Sequence, residues 1–220
     1  MRFLRYNGLS IVMFSCFAVF LFFHSCSGHV QHNEELVEHR QITLNYATYL
    51  GSGAFVESVF ENWESEFLQM LAYVLLTIWL KQKGSPESKK LNQNEPEDED
   101  PRRHRTDPNA PWPVRKGGLV LVLYENSLSI ALLLLFVGSF VLHAYGGMRD
   151  QNDQLFYQGK HLISLFDYMS SAKCWFESFQ NWQSEFLSVA VLVVLQIFLR
   201  QKGSPESKPV AESNSYTGHD

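Results

Sequence analysis

The chain has 220 residues, 45% of them hydrophobic, and a formal net charge of -5. This length allows one or two domains, and the acidic balance argues against a nucleic acid as partner. The three cysteines form no disulfide framework. The apolar residues are bunched into four uncharged blocks. Because a helix needs roughly 20 residues to cross the hydrocarbon of a bilayer, the blocks with their near flanks predict four membrane spans.

The first predicted span covers residues 8–27. Arginines precede it and the small residues Ser25-Cys26-Ser27 follow it, so a cleaved signal peptide is the alternative interpretation. The similar segment that runs from residue 126 to residue 143 lies in the middle of the chain, where it cannot be a signal. We therefore interpret residues 8–27 as a retained span.

The second predicted span covers residues 61–80. It follows a loop whose aromatic and aliphatic residues have the spacing of a short amphipathic helix on the membrane surface. The span carries polar residues at intervals of three and four, so that they share one helical face. Polar side chains of membrane helices normally turn toward other helices, and we expect this face to point inward. Its members are Asn62, Glu66, Gln69, Tyr73 and Thr77.

A polar nonapeptide follows the second span and recurs after the fourth. Residues 81–89 read KQKGSPESK, and residues 200–208 read RQKGSPESK. The cations favour a helix C-terminus on the inner side of a membrane, and the glycines suit the left-handed residue that ends a helix. We interpret the motif as a topological stop, with a cytoplasmic contact site as the alternative. The residues of the motif are Gly84, Ser85, Pro86, Glu87, Gly203, Ser204, Pro205 and Glu206.

Residues 90–117 form a link rich in proline, asparagine and charge, which predicts disorder. The third predicted span covers residues 124–146 and the fourth residues 180–199. Residues 209–220 are predicted to be a disordered C-terminal tail.

A shift of about 119 residues aligns the two halves of the chain. Residues 1–89 and residues 118–208 are therefore predicted to be tandem repeats of one helix-loop-helix unit. Each unit has two spans, so both units enter the membrane in the same direction, as a parallel repeat. The predicted fold class is an all-α membrane protein with four transmembrane helices.

The distribution of lysine and arginine predicts the orientation. These residues concentrate before the first span, in the middle link and after the fourth span, whereas the two other loops carry few of them. The positive-inside rule then places both termini in the cytoplasm, in a multi-pass protein of the cell inner membrane.

Ionisable residues inside a span are functional candidates, because a charge there costs about 2.5 to 3.5 kcal/mol. Counting residues along each helix places two histidines and two glutamates at a similar depth near the outer boundary. The alternative is that these groups only anchor the bundle at the interface. A metal site built from them is chemically conceivable, but no ligand motif supports one, and we predict no metal and no cofactor. The candidate cluster is His24, Glu66, His143, Glu185, Asn62 and Asn181, with Trp63 and Trp182 as interfacial anchors.

The segments Asn-Trp-Glu-Ser-Glu-Phe, from residue 62, and Gly-Ser-Pro-Glu-Ser, from residue 84, are long and specific. With their second copies they resemble a bacterial family of small integral membrane proteins known only as a domain of unknown function, present here as two tandem copies that exclude the middle link. The resemblance implies a helical inner-membrane protein. It implies no assigned activity and carries no catalytic residue to this chain.

We therefore predict a structural or regulatory membrane protein that acts through its helix and loop surfaces. Its expected partners are the lipid bilayer and either a second copy or another membrane protein. The alternative is a small transporter, channel or proton-linked sensor that uses the paired histidines and glutamates. An enzyme is the least favoured class, because no catalytic constellation is present.

Overall fold

The computed structural model describes residues 2–92 and 95–218. Residues 93 and 94 of the predicted link, residues 219 and 220 of the predicted tail, and residue 1 lie outside the described residues. Within the described ranges the protein is all-helical and has no β-strand. The all-α part of the predicted fold class is confirmed.

The first half contains two long helices and two short ones. The short helix α1 (Arg2–Tyr6) leads into α2 (Gly8–Glu38), and α3 (Tyr46–Leu50) leads into α4 (Gly53–Trp79). The predicted link contains two single-turn 3₁₀ helices, Pro96–Asp98 and Pro101–His104, and the helix α5 (Trp112–Lys116). The second half consists of α6 (Gly118–Glu125), α7 (Ser127–Tyr157), α8 (Leu165–Met169) and α9 (Ala172–Phe198).

The helices of the two halves match in length and in spacing. Helices α2 and α7 have 31 residues each, and α4 and α9 have 27 each. Their first residues, 8 and 127 for one pair and 53 and 172 for the other, both differ by 119. The short helices α3 and α8 keep the same offset, at residues 46 and 165. Each connecting loop therefore contains a short helix, and the one before α4 lies in the loop for which the sequence predicts it.

The two asparagines that precede α2 and α7 explain where these helices begin. The side-chain amide of Asn7 donates to the carbonyl of Phe3 at 3.0 Å, and that of Asn126 donates to the carbonyl of Val122 at 2.8 Å. An asparagine side chain that bonds to the preceding turn competes with the backbone for its hydrogen bonds. The predicted third span, residues 124–146, is therefore divided between the end of α6 and the apolar part of α7.

Three helices of the described chain are long and apolar enough to cross a membrane: α2, α7 and α9. Helix α4, which covers the predicted second span except its last residue, is not among them. Its N-terminal half carries four glutamates, and three of them, Glu61, Glu64 and Glu66, fall inside the predicted span. These charges lower the hydropathy of a segment whose uncharged part is short.

The apolar side chains of these helices face outward. In the most apolar 18-residue window of α2 only 6% of the residues are buried, and the same fraction holds for α9. A soluble protein rarely exposes a contiguous apolar surface of this extent. The surface is consistent with contact to lipid and suggests association with a membrane.

By its internal contacts the chain forms two compact units. Residues 1–61 and 140–175 form the unit that we call unit 1, and residues 62–139 and 176–220 form unit 2. Unit 1 contains both short helices α3 and α8 and the polar C-terminal ends of α2 and α7. Unit 2 contains both nonapeptides, the described part of the link and the C-terminal segment.

In unit 1 an asparagine fixes each connecting loop to the long helix before it. The side chain of Asn33 donates to the carbonyl of Leu44 at 2.9 Å and accepts from the amide of the same residue at 2.8 Å. Asn152 makes the same pair of bonds to Ile163, at 3.0 and 2.8 Å. Each loop is therefore held against a helix by an asparagine side chain, which donates and accepts hydrogen bonds as a backbone peptide group would.

A glycine on each long helix receives a tyrosine from the following short helix. A Cβ atom at Gly28 would overlap the hydroxyl of Tyr49, and one at Gly147 would overlap the hydroxyl of Tyr168. Both tyrosines are buried, with exposed fractions of 3% and 0%. These contacts explain why both glycines and both tyrosines align between the two halves of the sequence.

The substitution Gly147→Ala is expected to lower the free energy of unfolding by about 2 kcal/mol, because the added methyl group overpacks a buried contact. The measurement is thermal and denaturant unfolding of the purified protein in detergent. Gly138→Ala in the same helix is the matched control, since its Cβ would meet open space. There the replacement of a helical glycine should stabilise by up to about 1 kcal/mol. Equal effects at the two positions would contradict the close contact with Tyr168.

Candidate functional site

A close approach of two helix backbones organises the polar part of unit 1. A Cβ atom at Gly53, the first residue of α4, would lie 2.6 Å from the carbonyl oxygen of Gly146 in α7. A Cβ at Gly146 would lie 2.9 Å from the Cα atom of Glu57. Only glycine allows this approach, which fixes the first turns of α4 against the point where the apolar part of α7 ends.

The approach brings Glu57 into a buried polar cluster. Its Oε1 accepts hydrogen bonds of 2.9 Å from the hydroxyl of Tyr168 and from Nζ of Lys173. A ring nitrogen of His143 lies within 4.8 Å of a carboxylate oxygen of Glu57. Tyr168 and His143 are fully buried, whereas the side chain of Lys173 is 41% exposed. Glu57 therefore connects α4, α7 and α8 with the start of α9 through polar contacts.

A polar cavity of about 600 Å³ lies beside this cluster, between the C-terminal ends of α2 and α7 and the loop that contains α3. Its volume falls within the range of small-molecule sites. Three carboxylates and one guanidinium line it, so the lining carries an excess of negative charge when the histidines are neutral. Its ionisable residues are His32, Glu35, His39, Arg149, Asp150 and Asp153.

The single cation of this lining is held in place. Nη1 of Arg149 donates to the carbonyl of Gly51 at 2.9 Å, and its guanidinium lies 5.8 Å from the ring of Tyr145. The carboxylate of Glu35 accepts a hydrogen bond of 3.2 Å from Nε2 of Gln31, and the side chain of Asp153 is exposed.

Asp150 has an unusual acidity. It lies beyond the apolar segment of α7, and burial, followed by the charge of Glu57, raises its pKa from 3.8 to about 6. The charges of Asp153 and Glu35 act in the same direction, and Lys173 opposes them. A carboxylate kept in its charged form at pH 7 against such costs creates a negative potential that favours a cation.

The predicted polar cluster is distributed over both units. In unit 1, His24 is exposed and bonds to the hydroxyl of Ser58 at 3.1 Å, while His143 is fully buried. In unit 2, Asn62 and Glu66 are exposed, and Asn181 and Glu185 are half-buried. Glu66 lies close enough to Glu185 for their charges to interact.

The predicted tryptophan anchors differ in their contacts. The side chain of Trp63 is half-buried and packs edge-on against Phe67, with ring centroids 6.5 Å apart. Nε1 of Trp182 donates to Oε1 of Glu64 at 3.2 Å. This bond ties Trp182 to a neighbouring helix in addition to any role at the interface.

Sequence reasoning missed Glu64, which is fully buried in unit 2. It accepts a hydrogen bond of 2.7 Å from the hydroxyl of Ser178 in addition to the bond from Trp182. Its counterpart in the second half is Gln183, which is exposed. The difference between glutamate and glutamine in otherwise matching segments was the signal that could have identified it. Asp150 was missed as well, because it lies outside the segments that the predicted spans covered.

The two nonapeptides form loops of the same local structure, which we call loop 1 (residues 82–88) and loop 2 (residues 201–207). In loop 1 the amide of Gln82 donates to the hydroxyl of Ser88 at 2.8 Å, and in loop 2 the amide of Gln201 donates to Ser207 at 2.9 Å. The glycines have φ angles of 86° and 85°. The glycines are left-handed as predicted, but they do not end the helices, because α4 ends earlier, at Trp79, and α9 ends at Phe198.

The surroundings of the loops differ, although their sequences are the same. Gly84, Ser85 and Pro86 are buried, whereas Gly203 and Pro205 are exposed and Ser204 is half-buried. In loop 1, Glu87 accepts hydrogen bonds from the hydroxyl of Tyr73 and from Nε2 of Gln196, the latter at 3.0 Å. The amide of Glu206 in loop 2 bonds to the hydroxyl of Ser204 at 3.2 Å.

The all-helical fold, with three helices able to cross a membrane and a polar cavity at the ends of two of them, defines a helical protein whose apolar surface suggests membrane association. The chain belongs to the family described as Domain of unknown function (DUF6766), whose model matches residues 1–219. One domain of this family therefore includes both halves and the link, and the prediction of two tandem copies of it was wrong. No curated protein and no solved structure matches the chain.

Proposed function

We propose that the protein is a regulatory membrane receptor that binds a small organic cation in the polar cavity of unit 1. The observation that carries this proposal is the cavity itself, which is large enough for such a molecule and has more carboxylates than fixed cations in its lining. Asp150, with its raised pKa, is the residue that gains most from a bound cation.

The proposal includes four spans, with α4 as the additional one. Helix α4 has 27 residues, the same length as α9, and at 1.5 Å per residue it extends about 40 Å. Its glutamates lie in its N-terminal half, and the segment from Phe67 to Trp79 carries no charge. Four spans bring both termini to the same side, which agrees with the placement of lysine and arginine at the chain ends and in the link.

We further propose that the two halves arose as parallel repeats in a bacterial inner membrane, with both termini and both nonapeptide loops in the cytoplasm. The matching helix lengths, the paired asparagine clamps and the paired glycine-tyrosine contacts support the repeat. In this orientation the cavity of unit 1 faces the outer side, where it is open to solutes that arrive from outside the cell.

A proton-linked transporter or sensor that uses His24, His143, Glu66 and Glu185 is the second candidate. The observation in its favour is the proximity of Glu66 to Glu185, whose like charges interact within unit 2.

Calorimetric titration of the purified protein with putrescine and with tetramethylammonium tests the proposal. We expect saturable binding of at least one of these cations, and a loss of affinity of about tenfold or more in the double variant Glu35→Gln with Asp153→Asn, because two attractive charges are removed. The double variant Glu66→Gln with Glu185→Gln is the matched control and should bind as the wild type does. If the control alone loses binding, the second candidate replaces the receptor. If neither cation binds the wild type, the proposal fails.

A further inference from the structure

Loop 1 is occupied by the C-terminal segment of the same chain. The amide of Gly84 donates to the hydroxyl of Thr217 at 2.8 Å, and the amide of Gly218 donates to the carbonyl of Ser85 at 3.0 Å. A Cβ atom at Gly84 would lie 2.5 Å from the carbonyl oxygen of Asn214. The missing side chain of Gly84 is therefore what lets the segment reach the loop backbone.

The C-terminal segment is itself held in shape by two cations that follow α9, Arg200 and Lys208. Nζ of Lys208 donates to the carbonyls of residues 213, 214 and 216, at 3.1 to 3.4 Å. Nη2 of Arg200 donates to the carbonyl of Glu212 at 3.1 Å and to Oδ1 of Asn214 at 3.0 Å. Burial, followed by the charge of Arg200, lowers the pKa of Lys208. The segment thus meets loop 1 as a preformed ligand.

Loop 2 has the same sequence and the same backbone conformation, but among the described residues no peptide segment bonds to the backbone of Gly203 and Ser204. A Cβ atom at Gly203 would meet open space, and a cavity of about 540 Å³ lies along the loop. Within the described residues the amide of Gly203 and the carbonyl of Ser204 make no hydrogen bond. These are the counterparts of the two loop 1 groups that bind Thr217 and Gly218.

We propose that loop 2 is a peptide-binding site for a partner protein. The occupant is an extended segment in which a serine or threonine precedes a glycine, since those are the two residues that loop 1 contacts. The hydroxyl would accept from the amide of Gly203, and the amide of the following glycine would donate to the carbonyl of Ser204. The C-terminal segment occupies loop 1, which leaves loop 2 open to a segment of another molecule.

The test uses a fluorescent peptide with the sequence of residues 211–220 and the purified full chain in detergent, with fluorescence polarisation as the readout. We expect one peptide to bind per chain, because the tethered segment keeps loop 1 occupied through its high effective concentration. A peptide with Thr217→Val loses the accepting hydroxyl and should bind about tenfold more weakly.

The chain variant Gly203→Asn adds a side chain where the segment approaches loop 1, and asparagine tolerates a left-handed backbone better than other residues do. It should abolish binding of the peptide. Gly159→Asn is the matched control, because Gly159 has a φ of 64° and open space around it, and this variant should bind normally. The proposal is overturned if the wild-type chain does not bind the peptide, or if Gly203→Asn binds it equally well. It is also overturned if the chain dimerises through loop 2 and the dimer excludes the peptide.

Discussion

Replacing Glu57 with leucine is expected to lower the free energy of unfolding by about 3 kcal/mol. The side chain of Glu57 is only 12% exposed, and it accepts hydrogen bonds from Tyr168 and from Lys173. Leucine removes the acceptor that Glu57 provides to a fully buried hydroxyl, which costs about 1 to 3 kcal/mol, and removes the ion pair as well. Unfolding in detergent, followed by tryptophan fluorescence, measures the loss.

A double-mutant cycle with Tyr168→Phe separates the two contributions. In the Tyr168→Phe background the hydroxyl is absent, so Glu57→Leu should cost about 1 to 2 kcal/mol less than in the wild type. Lys173→Met should cost under about 1 kcal/mol, because its ammonium group is partly exposed and is rehydrated when the pair is broken. Additive effects of Glu57→Leu and Tyr168→Phe would show that the hydrogen bond contributes nothing to stability.

The elements that follow from local sequence were predictable. The offset of about 119 residues predicts which helices match, since each half repeats the same apolar blocks and the same polar flanks. Gly84 and Gly203 adopt the predicted left-handed conformation, because glycine lacks the Cβ that disfavours it, but they lie in turns beyond the helix ends and are not helix caps. The end of α2 at Glu38 was not predicted. The polar residues after residue 27 are compatible with a helix but not with a membrane span, so the predicted span ended before them.

The functional role of residues that differ between the two halves could not be predicted from the repeat. Comparison of the halves selects positions that are alike, such as Glu66 and Glu185, and so passes over those that differ. The close approach of α4 to α7 needs Gly53 and Gly146, whose counterparts are Ala172 and Ser27. The buried polar cluster and the cavity therefore form where the halves differ.

The sequence pattern also failed to predict which face of α4 is buried. The stripe through Asn62 and Glu66 predicted an inward face, yet both residues are exposed, and Glu64 and Ser65 are buried instead. Glu64 accepts from Ser178 and Trp182 of α9, so the partner helix determines which glutamate is covered. Helical spacing defines which residues share a face, but tertiary packing decides which face is covered.

Replacing Asp150 with asparagine is expected to change stability and cation binding in opposite directions. The folded-state pKa of Asp150 is about 6, above its ordinary value of 3.8, so folding makes its charged form less favourable. This cost is absent below about pH 4, grows between about pH 4 and 6 and is fully present at pH 7. Asparagine removes it, and at one pKa unit per 1.36 kcal/mol the variant should be about 1 to 3 kcal/mol more stable at pH 7. At pH 4 the gain should vanish.

The affinity for a cation should also depend on the protonation of Asp150, and it should be higher when Asp150 is charged. Protonation of Asp150 removes a negative charge from the cavity, so the affinity of the wild type for the cation should fall as the pH is lowered from 7 to 5. The other charged groups that act on Asp150 are Glu57, Lys173, Asp153 and Glu35. Calorimetric titration at several pH values, with Asp150→Asn as the variant whose affinity is low throughout, measures this dependence.

The combination of the two results distinguishes a binding residue from a structural one. A carboxylate that served the fold would lower the stability when it is neutralised, because its hydrogen bonds and charge contacts would be lost. A carboxylate kept charged at a cost to the fold is retained for an interaction with something else, and strained or destabilising groups are concentrated at functional sites for this reason. If Asp150→Asn is less stable than the wild type at pH 7, Asp150 stabilises the fold. The main reason to propose that the cavity binds a cation is then removed. A more stable variant with weakened binding identifies Asp150 as the residue that the cation neutralises.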